Sequence, residues 1–174
     1  MITGSPRITI EELPGLRLAG NWMQLNLSME FDDLLGLWQA FSRRLGIAQS
    51  ERVPLAYGIC TDIQDNHDCR YWTALEIDHM GSLPTGMVPV FVPGGLYACL
   101  SVEGITPLVD CRTYLSMIWA PGQAVYDLDV DKPCFEVTYG QWDKPDTRKV
   151  CLPLKLRHQA IQPDLSPGLS VRGL

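Results

Sequence analysis

The segment KPCFEVTYG, residues 132–140, decides how this chain is interpreted. A β-rich run bounded by a proline and a glycine predicts one short strand. Side chains alternate across a strand, which places two sets on opposite faces: Cys134, Glu136 and Thr138 on one, and Phe135, Val137 and Tyr139 on the other. The second set is apolar, so we expect it to face a hydrophobic core.

Glu136 is the only charged residue between Lys132 and Asp143. A carboxylate in the middle of a strand can point to water, pair with a lysine such as Lys149, or be held in a pocket. Burial without a partner is costly for a charge. The sequence around Glu136 leaves these three settings open, and only the last one is functional.

The second half of the chain extends outward from this strand. Strands are predicted over 88–92 and 96–102, and 149–155 is predicted as the hairpin partner of the Glu136 strand. Thr106-Pro107 predicts the start of a helix that Pro121-Gly122 ends. Its expected apolar face is formed by Leu108, Cys111, Leu115, Ile118 and Trp119.

The first half shows the same order. Strands are predicted over 8–13 and 16–20, and a hairpin over 55–61 and 70–77 with a polar turn at 62–68. Between them, apolar residues at i, i+3, i+4 and i+7 from Phe31 to Leu45 predict a helix. Ser28 is its expected N-cap, acidic residues occupy its first turn, and Gly46 ends it.

The two halves therefore predict an α+β fold of tandem duplicated β-α-β-β modules, with an antiparallel sheet, two helices and a central groove. The match between Pro14-Gly15-Leu16 and Pro93-Gly94-Gly95-Leu96 supports the repeat. A groove along the seam of two modules is a usual place for a ligand. The expected organisation is a leader (1–7), one domain (8–156) with repeats at about 8–78 and 88–156, and a tail (157–174).

Composition excludes several classes of protein. The chain of 174 residues is 46% hydrophobic and 20% charged, with a net charge of −6, which disfavours a nucleic-acid-binding surface. No apolar run is long enough to span a membrane, and no signal peptide is recognisable, so we expect a cytoplasmic protein. The six cysteines include no CxxC pair and are expected to be free thiols.

Three segments resemble the gyrase-inhibitor-like (GyrI-like) effector-binding domains, which also form the ligand-sensing halves of AraC-type and multidrug-binding transcription regulators. They are PGGLYA (93–98), YWTALE (71–76) and PCFEV (133–137). The resemblance implies an SHS2-like tandem fold and a groove for amphipathic, often cationic, aromatic molecules. It also implies that Glu136 meets the positive charge of the ligand. Within the family that the chain resembles, some members are similar in sequence to a gyrase-inhibiting protein, and some hydrolyse cyclopropane-containing compounds with this glutamate and a nearby tyrosine.

Aromatic residues are the other candidate ligand contacts, because aromatic rings attract cations. The predicted binding residues are Glu136, Tyr57, Tyr71, Trp72, Tyr97 and Trp119. Each ring can instead be ordinary core, and only one of Tyr71 and Trp72 can point away from the helices. If the protein is an enzyme, Glu136 and Tyr139 are the predicted catalytic pair, although Tyr139 falls on the opposite face of the strand.

The favoured hypothesis is a stand-alone domain that binds a small molecule as a sensor or by sequestration, without catalysis. The alternatives are a hydrolase of strained electrophiles and a protein that acts on gyrase or another partner. A DNA-binding domain is a further possible partner. No cofactor is expected, and the polar turn at 65–69 is a weak candidate for a metal site because its donors are sequential.

Overall fold

The computed structural model describes residues 6–26, 31–45, 53–77, 83, 85–103, 108–141 and 144–157. Within them the chain forms nine strands and two helices. The strands are β1 (Arg7–Leu13), β2 (Leu16–Asn26), β3 (Val53–Thr61), β4 (Asp68–Glu76), β5 (Val88–Val92), β6 (Gly95–Glu103), β7 (Tyr126–Leu128), β8 (Cys134–Gln141) and β9 (Lys144–Leu156). The helices are α1 (Phe31–Leu45) and α2 (Leu108–Thr113), and α2 continues as a π-helix (Tyr114–Trp119) and a 3₁₀ turn (Ala120–Gly122).

All the strand pairs are antiparallel, and the order across the sheet is β1-β6-β9-β8-β3-β4-β2-β5. The short β7 pairs with the C-terminal end of β9. Strand β8, which carries Glu136, lies near the middle of this order, between β9 and β3. The expected α+β architecture with an antiparallel sheet and two helices is confirmed, and the tandem duplication stays a prediction.

Two short connections make the sheet curl. Pro14-Gly15 joins β1, at one end of the sheet, to β2 next to the other end, and Pro93-Gly94 joins β5 back to β6. The connections touch: a Cβ added to Gly94 would lie 2.8 Å from the nitrogen of Gly15, so the approach requires glycine. The curl gives the sheet an inner face, distinct from the helix face that α1 and α2 cover.

Each face of the sheet has its own core. The helix-face core includes Trp38 and Phe41 of α1, Leu108 of α2, and Tyr71 and Val150 from the sheet. The inner-face core consists of residues that alternate with these along the same strands: Leu18, Tyr57, Ile59, Ala74, Val92, Tyr97, Cys99, Phe135, Val137 and Cys151. The expectation that Phe135 and Val137 face a core is confirmed.

Three local predictions need correction. The second strand was predicted over 16–20, but β2 runs on to Asn26 and includes Trp22. Strand β7 was not predicted. The expected α2 face is wrong at Ile118, which is 63% exposed, because the change to a π-helix at Tyr114 alters the residue spacing; Leu115 and Trp119 still pack on the helix-face core. The proposed caps Ser28, Gly46 and Thr106-Pro107 lie outside the described residues.

Candidate functional site

Glu136 is one of the most buried side chains described, with 1% of its surface exposed. It lies on the helix face of β8, where its register partners are Gly58 on β3 and Val150 on β9. Burial rules out the setting in water. The alternative of a pair with Lys149 is also excluded, because Lys149 lies on the other face of β9 and pairs with Glu11.

The hydroxyl of Tyr71 donates a hydrogen bond of 2.6 Å to Oε1 of Glu136. Tyr71 lies on β4, two strands away from β8, and β3 runs between them. The bond can cross β3 because Gly58 has no side chain: a Cβ there would collide with the Tyr71 hydroxyl and lie 2.7 Å from Oε1. Gly58 therefore provides the gap in which the tyrosine and the glutamate meet.

Arg148 holds the other carboxylate oxygen. Its Nε lies 3.0 Å from Oε2 of Glu136, and only 3% of the Arg148 side chain is exposed. The Nε–H group does not point directly at Oε2, so this is a close charge contact and not a well-aligned hydrogen bond. Burial is the largest single influence and acts to lower the pKa of Arg148, but Glu136, Tyr71 and Cys111 together outweigh it and raise that pKa.

Both helices pack over the group formed by Glu136, Tyr71 and Arg148, with α1 next to Tyr71 and α2 next to Arg148. Trp38 of α1 packs edge-on against Tyr71 with ring centroids 6.4 Å apart. Cys111 of α2 is fully buried nearby, and burial raises the pKa of its thiol to about 12. Burial and the charge of Glu136 also raise the pKa of Tyr71 well above its usual value. The Tyr71 hydroxyl therefore stays protonated and remains a donor.

A cavity of about 240 Å³ lies between α1 and the sheet, and Tyr71 forms part of its wall. We call it the α1-side cavity; its lining is mostly apolar and consists of Asn21, Trp22, Met23, Leu37, Ala40, Phe41, Arg44, Tyr71 and Thr73. Asn21 donates its amide hydrogen to the carbonyl of Gly86 at 2.6 Å. Its Oδ1 is buried and has no hydrogen-bond donor among the described residues.

A second cavity of about 460 Å³ lies beside α2, and we call it the α2-side cavity. Its lining is rich in charged and polar groups, including Arg112 from α2 and Asp129 and Lys132 from the segment before β8. Cys60 and Cys134 also line it. The two cavities therefore flank the buried Glu136 group and differ in chemistry.

The structure brings only two of the predicted binding residues together, Glu136 and Tyr71. Tyr57 and Tyr97 lie in the inner-face core, where each ring packs against Phe135. The Tyr97 hydroxyl donates to the carbonyl of Pro93 at 2.6 Å, and burial raises the pKa of Tyr97 to about 12. Neither hydroxyl points toward Glu136.

The remaining predicted residues are also separate from Glu136. Trp72 lies on the inner face, where its ring centroid is 6.3 Å from that of Trp22. Trp119 is half-buried in the π-helix and packs on the helix-face core. Tyr139 is 38% exposed and, as expected from its position in β8, lies on the face opposite Glu136.

The described residues contain no group of three or more His, Cys, Asp or Glu side chains placed to hold a metal ion. In the turn at 65–69, the carboxylate of Asp68 is engaged by the amides of Asn26 and Asn66, at 2.8 and 2.7 Å. No helix in the described part of the chain has the length and apolar character needed to cross a membrane.

Sequence reasoning did not identify Arg148, Gly58 or Asn21. Arg148 precedes the predicted start of the last strand by one residue, and Asn21 follows the predicted end of the second. A glycine inside a predicted strand does mark a possible close approach of neighbouring groups, so Gly58 carried a usable signal. The two polar residues were missed because their strands are longer than the apolar pattern indicates.

Comparison with known proteins places this geometry in a family. The model described as a GyrI-like small molecule binding domain matches residues 6–155. No curated protein matches the chain. The solved structure of SAV2435 bound to tetraphenylphosphonium is similar, with 14% sequence identity, a TM-score of 0.60, and coverage of 86% of this chain and 94% of that chain.

Two structures of EcmrR have the same fold. Its C-terminal domain has 11% identity and a TM-score of 0.61 over 86% of this chain and 98% of that chain. EcmrR in a complex with DNA has 12% identity and a TM-score of 0.60 over 86% of this chain and 57% of that chain. The sheet and helices are thus shared across proteins whose sequences have diverged widely.

Proposed function

The chain belongs to the GyrI-like family of small-molecule-binding domains, and we propose that it binds an amphipathic aromatic molecule with a cationic end. The ligand would enter the α1-side cavity and direct its polar end toward Tyr71 and Glu136. The observation that carries this proposal is the buried carboxylate of Glu136, hydrogen-bonded at 2.6 Å to a tyrosine that forms part of the cavity wall.

The lining of the α1-side cavity suits such a molecule. Leu37, Phe41 and Met23 offer apolar contact, and ligand sites are typically apolar with a few polar groups that fix orientation. The buried Oδ1 of Asn21 provides one such group, because an acceptor without a donor gains a full hydrogen bond when a ligand supplies one.

The charge of the ligand is constrained by Arg148. The guanidinium already neutralises Glu136 at 3.0 Å, so an arriving cation competes with Arg148 for the carboxylate. A cationic ligand therefore binds most favourably if the Arg148 side chain turns away from Oε2 of Glu136. The poor alignment of the Nε–H group with Oε2 makes this exchange less costly than the loss of a well-formed bidentate pair.

The size of the cavity implies movement of α1. Its volume of about 240 Å³ is below the range of roughly 300–1,000 Å³ that is usual for drug-sized ligands. A larger ligand would have to push α1 outward from the sheet. Trp38 moves with α1 and packs on Tyr71, so its fluorescence would report ligand entry.

Titration with tetraphenylphosphonium, the ligand of SAV2435, and with neutral triphenylphosphine oxide tests the proposal. We expect tryptophan quenching and calorimetric binding, at least about tenfold weaker in Ala40→Trp because the new ring fills the cavity. Arg43→Trp is the matched control, since Arg43 is exposed on α1 and does not line the cavity. Equal binding by both variants, or no binding of either compound by the native chain, would contradict this site.

A second candidate, hydrolysis of strained electrophiles, is favoured by one observation. A tyrosine hydroxyl does lie within hydrogen-bond distance of Glu136, but it belongs to Tyr71 and not to Tyr139. The raised pKa of Tyr71 and the burial of both groups make proton transfer to a substrate difficult, so we favour binding. Chromatography of the same samples with a cyclopropane-containing ligand would reveal turnover through a hydrolysed product that Glu136→Gln does not form.

The role that we propose for binding is sensing or sequestration. The likeness to EcmrR, which has been solved with DNA, supports a DNA-binding domain as a partner for the sensing role. Gyrase or another protein partner is the alternative. Affinity capture with and without bound ligand distinguishes these two kinds of partner. For a sensor, the captured partner should differ between the two conditions.

A further inference from the structure

We propose that Cys134 is a nucleophilic thiol, assisted by Cys60, that forms covalent adducts with small α,β-unsaturated carbonyl compounds in the α2-side cavity. This site is separate from the Glu136 group and uses none of its residues. The proposal begins from the position of the two cysteines. They are register partners on the adjacent strands β3 and β8, so their side chains are cross-strand neighbours. Both line the cavity of about 460 Å³.

The surroundings of the Cys134 sulfur favour the thiolate. The neighbouring Cys60 thiol and the charge of Arg112, which lines the same cavity, together outweigh burial and lower the pKa of Cys134. The same contact, together with Cys69 on β4, raises the pKa of Cys60. The contact therefore makes Cys134 the more acidic thiol of the pair, a direction typical of reactive cysteines.

The other charges around the cavity are largely paired. Lys132 lies 3.3 Å from Asp129, and Asp62 lies 3.5 Å from Arg70. Asp131 also lines the cavity and adds negative charge. Arg112 lines the same cavity as Cys134 and its charge lowers the pKa of that thiol, so we assign it as a positioning residue. The cavity volume falls within the roughly 300–1,000 Å³ that accommodates small-molecule ligands.

A second cysteine pair provides an internal reference. Cys99 and Cys151 are register partners on β6 and β9, with sulfur atoms 2.8 Å apart. They are buried in the inner-face core and line neither of the two cavities described above. Their mutual contact and burial raise the pKa of Cys151 far above its usual value. All four cysteines are buried, but Cys60 and Cys134 line a cavity together with Arg112, whereas Cys99 and Cys151 line neither cavity.

The chemistry is a conjugate addition. The Cys134 thiolate attacks the β-carbon, an S–C bond forms, and the π-electron pair of the C=C bond moves to the enolate oxygen. The Cys60 thiol then gives its proton to the α-carbon, and water restores the proton on Cys60. The product is a thioether that contains every atom of the electrophile, and no oxidant or reductant is consumed.

Limited reaction of the folded chain of 174 residues with N-ethylmaleimide, followed by intact mass and peptide mapping, tests the proposal. We expect a single adduct on Cys134 that forms at least about tenfold faster than any on Cys99 or Cys151. Arg112→Gln should slow the reaction at neutral pH and move the midpoint of its pH profile to higher pH. Cys60→Ser should do the same, whereas Cys99→Ser should leave the rate unchanged.

Peptide mapping of the native chain identifies the site even if Cys134→Ser fails to fold. A first adduct on any other cysteine, an unreactive native chain, or a pH profile that is unchanged in both Arg112→Gln and Cys60→Ser would overturn the proposal. Tetraphenylphosphonium contains no electrophilic alkene, so whether it binds does not depend on the reactivity of Cys134. The failure of this site is therefore distinguishable from failure of the ligand site at Glu136.

Discussion

Arg148 and Lys149 are neighbours on β9, yet they build two very different ion pairs. Arg148 points to the helix face and contacts Glu136 at 3.0 Å, with 3% and 1% of the two side chains exposed. Lys149 points to the inner face and contacts Glu11 at 2.6 Å, with 23% and 31% exposed. The pair with the shorter distance is the one that water reaches.

The difference shows that burial, and not distance, decides what an ion pair contributes. Solvent competes with the Lys149–Glu11 pair and salt screens it, so its contribution is small. The Arg148–Glu136 pair is shielded from water and salt, and removal of Arg148 leaves the buried Glu136 carboxylate without this counter-ion. Loss of the Lys149–Glu11 pair should therefore change the free energy of unfolding only slightly. The Arg148–Glu136 pair affects both the stability of the fold and the charge of the ligand that can bind.

Removal of the buried cation should have the largest effect. We expect Arg148→Met to lower the free energy of unfolding by about 3–5 kcal/mol, because it leaves the Glu136 carboxylate buried without its counter-ion. Urea denaturation measures this loss. Tetraphenylphosphonium should restore part of the stability, since an external cation can then occupy the place of the guanidinium.

A double variant is the control for that result. Glu136→Gln combined with Arg148→Met removes both charges, and most of the lost stability should return. If the double variant is as unstable as Arg148→Met alone, packing of the arginine stem and not charge explains the effect. The contrast between the two ion pairs would then need another cause.

Loss of the Tyr71 hydroxyl should have an intermediate effect. Tyr71→Phe removes the 2.6 Å hydrogen bond to Glu136, and hydrogen bonds to charged groups contribute about 1.5–3 kcal/mol. The ring, and with it the wall of the α1-side cavity, is retained. We therefore expect a lower urea midpoint with unchanged reactivity of Cys134; a change in that reactivity would show that the two cavities are coupled.

The exposed pair should have the smallest effect. Glu11→Gln should cost about 0.2–1 kcal/mol at pH 7. Hydrogen bonds from Lys149 and Thr9 lower the pKa of Glu11 in the folded chain, so its contribution is present above its ordinary pKa of 4.5 and is lost as the pH falls below that value. Unfolding free energies of both proteins should converge toward pH 3.

High salt sharpens the same comparison. The difference between the native chain and Glu11→Gln should shrink in 1 M salt, because the pair is partly solvated. The difference caused by Arg148→Met should persist, because ions do not reach the buried group. Equal salt sensitivity of the two variants would argue that the helix face admits water around Glu136.

Much of this fold could be predicted because its signals are local. Alternation identified β8 and the opposite facing of Glu136 and Tyr139, and periodicity identified α1. The partner of Glu136 could not be predicted, because it depends on which strand lies beside β8 and in which register. Lys149 and Arg148 differ by a single position, and that position determines the face on which each one lies.

The aromatic residues show the same limit. The alternation of Tyr71 and Trp72 establishes that they face opposite ways, but nothing in the sequence states which of them meets the helices. The hydrogen bond across Gly58 needs three strands in order, β4, β3 and β8, and this order becomes known only from the assembled sheet. A site whose residues lie on several strands is thus harder to predict from sequence than a site whose residues lie on a single strand.

The curl of the sheet has a consequence for how the chain folds. Strand β1 pairs with β6, and β3 pairs with β8, so each half of the chain completes the sheet of the other. Contacts between such distant segments form late and slow the search for the native state. A cut between β4 and β5 would leave two fragments. In the first, β1 and β3 would lack their neighbours β6 and β8, which belong to the second. The carboxylate of Glu136 gains its tyrosine only after both halves have come together.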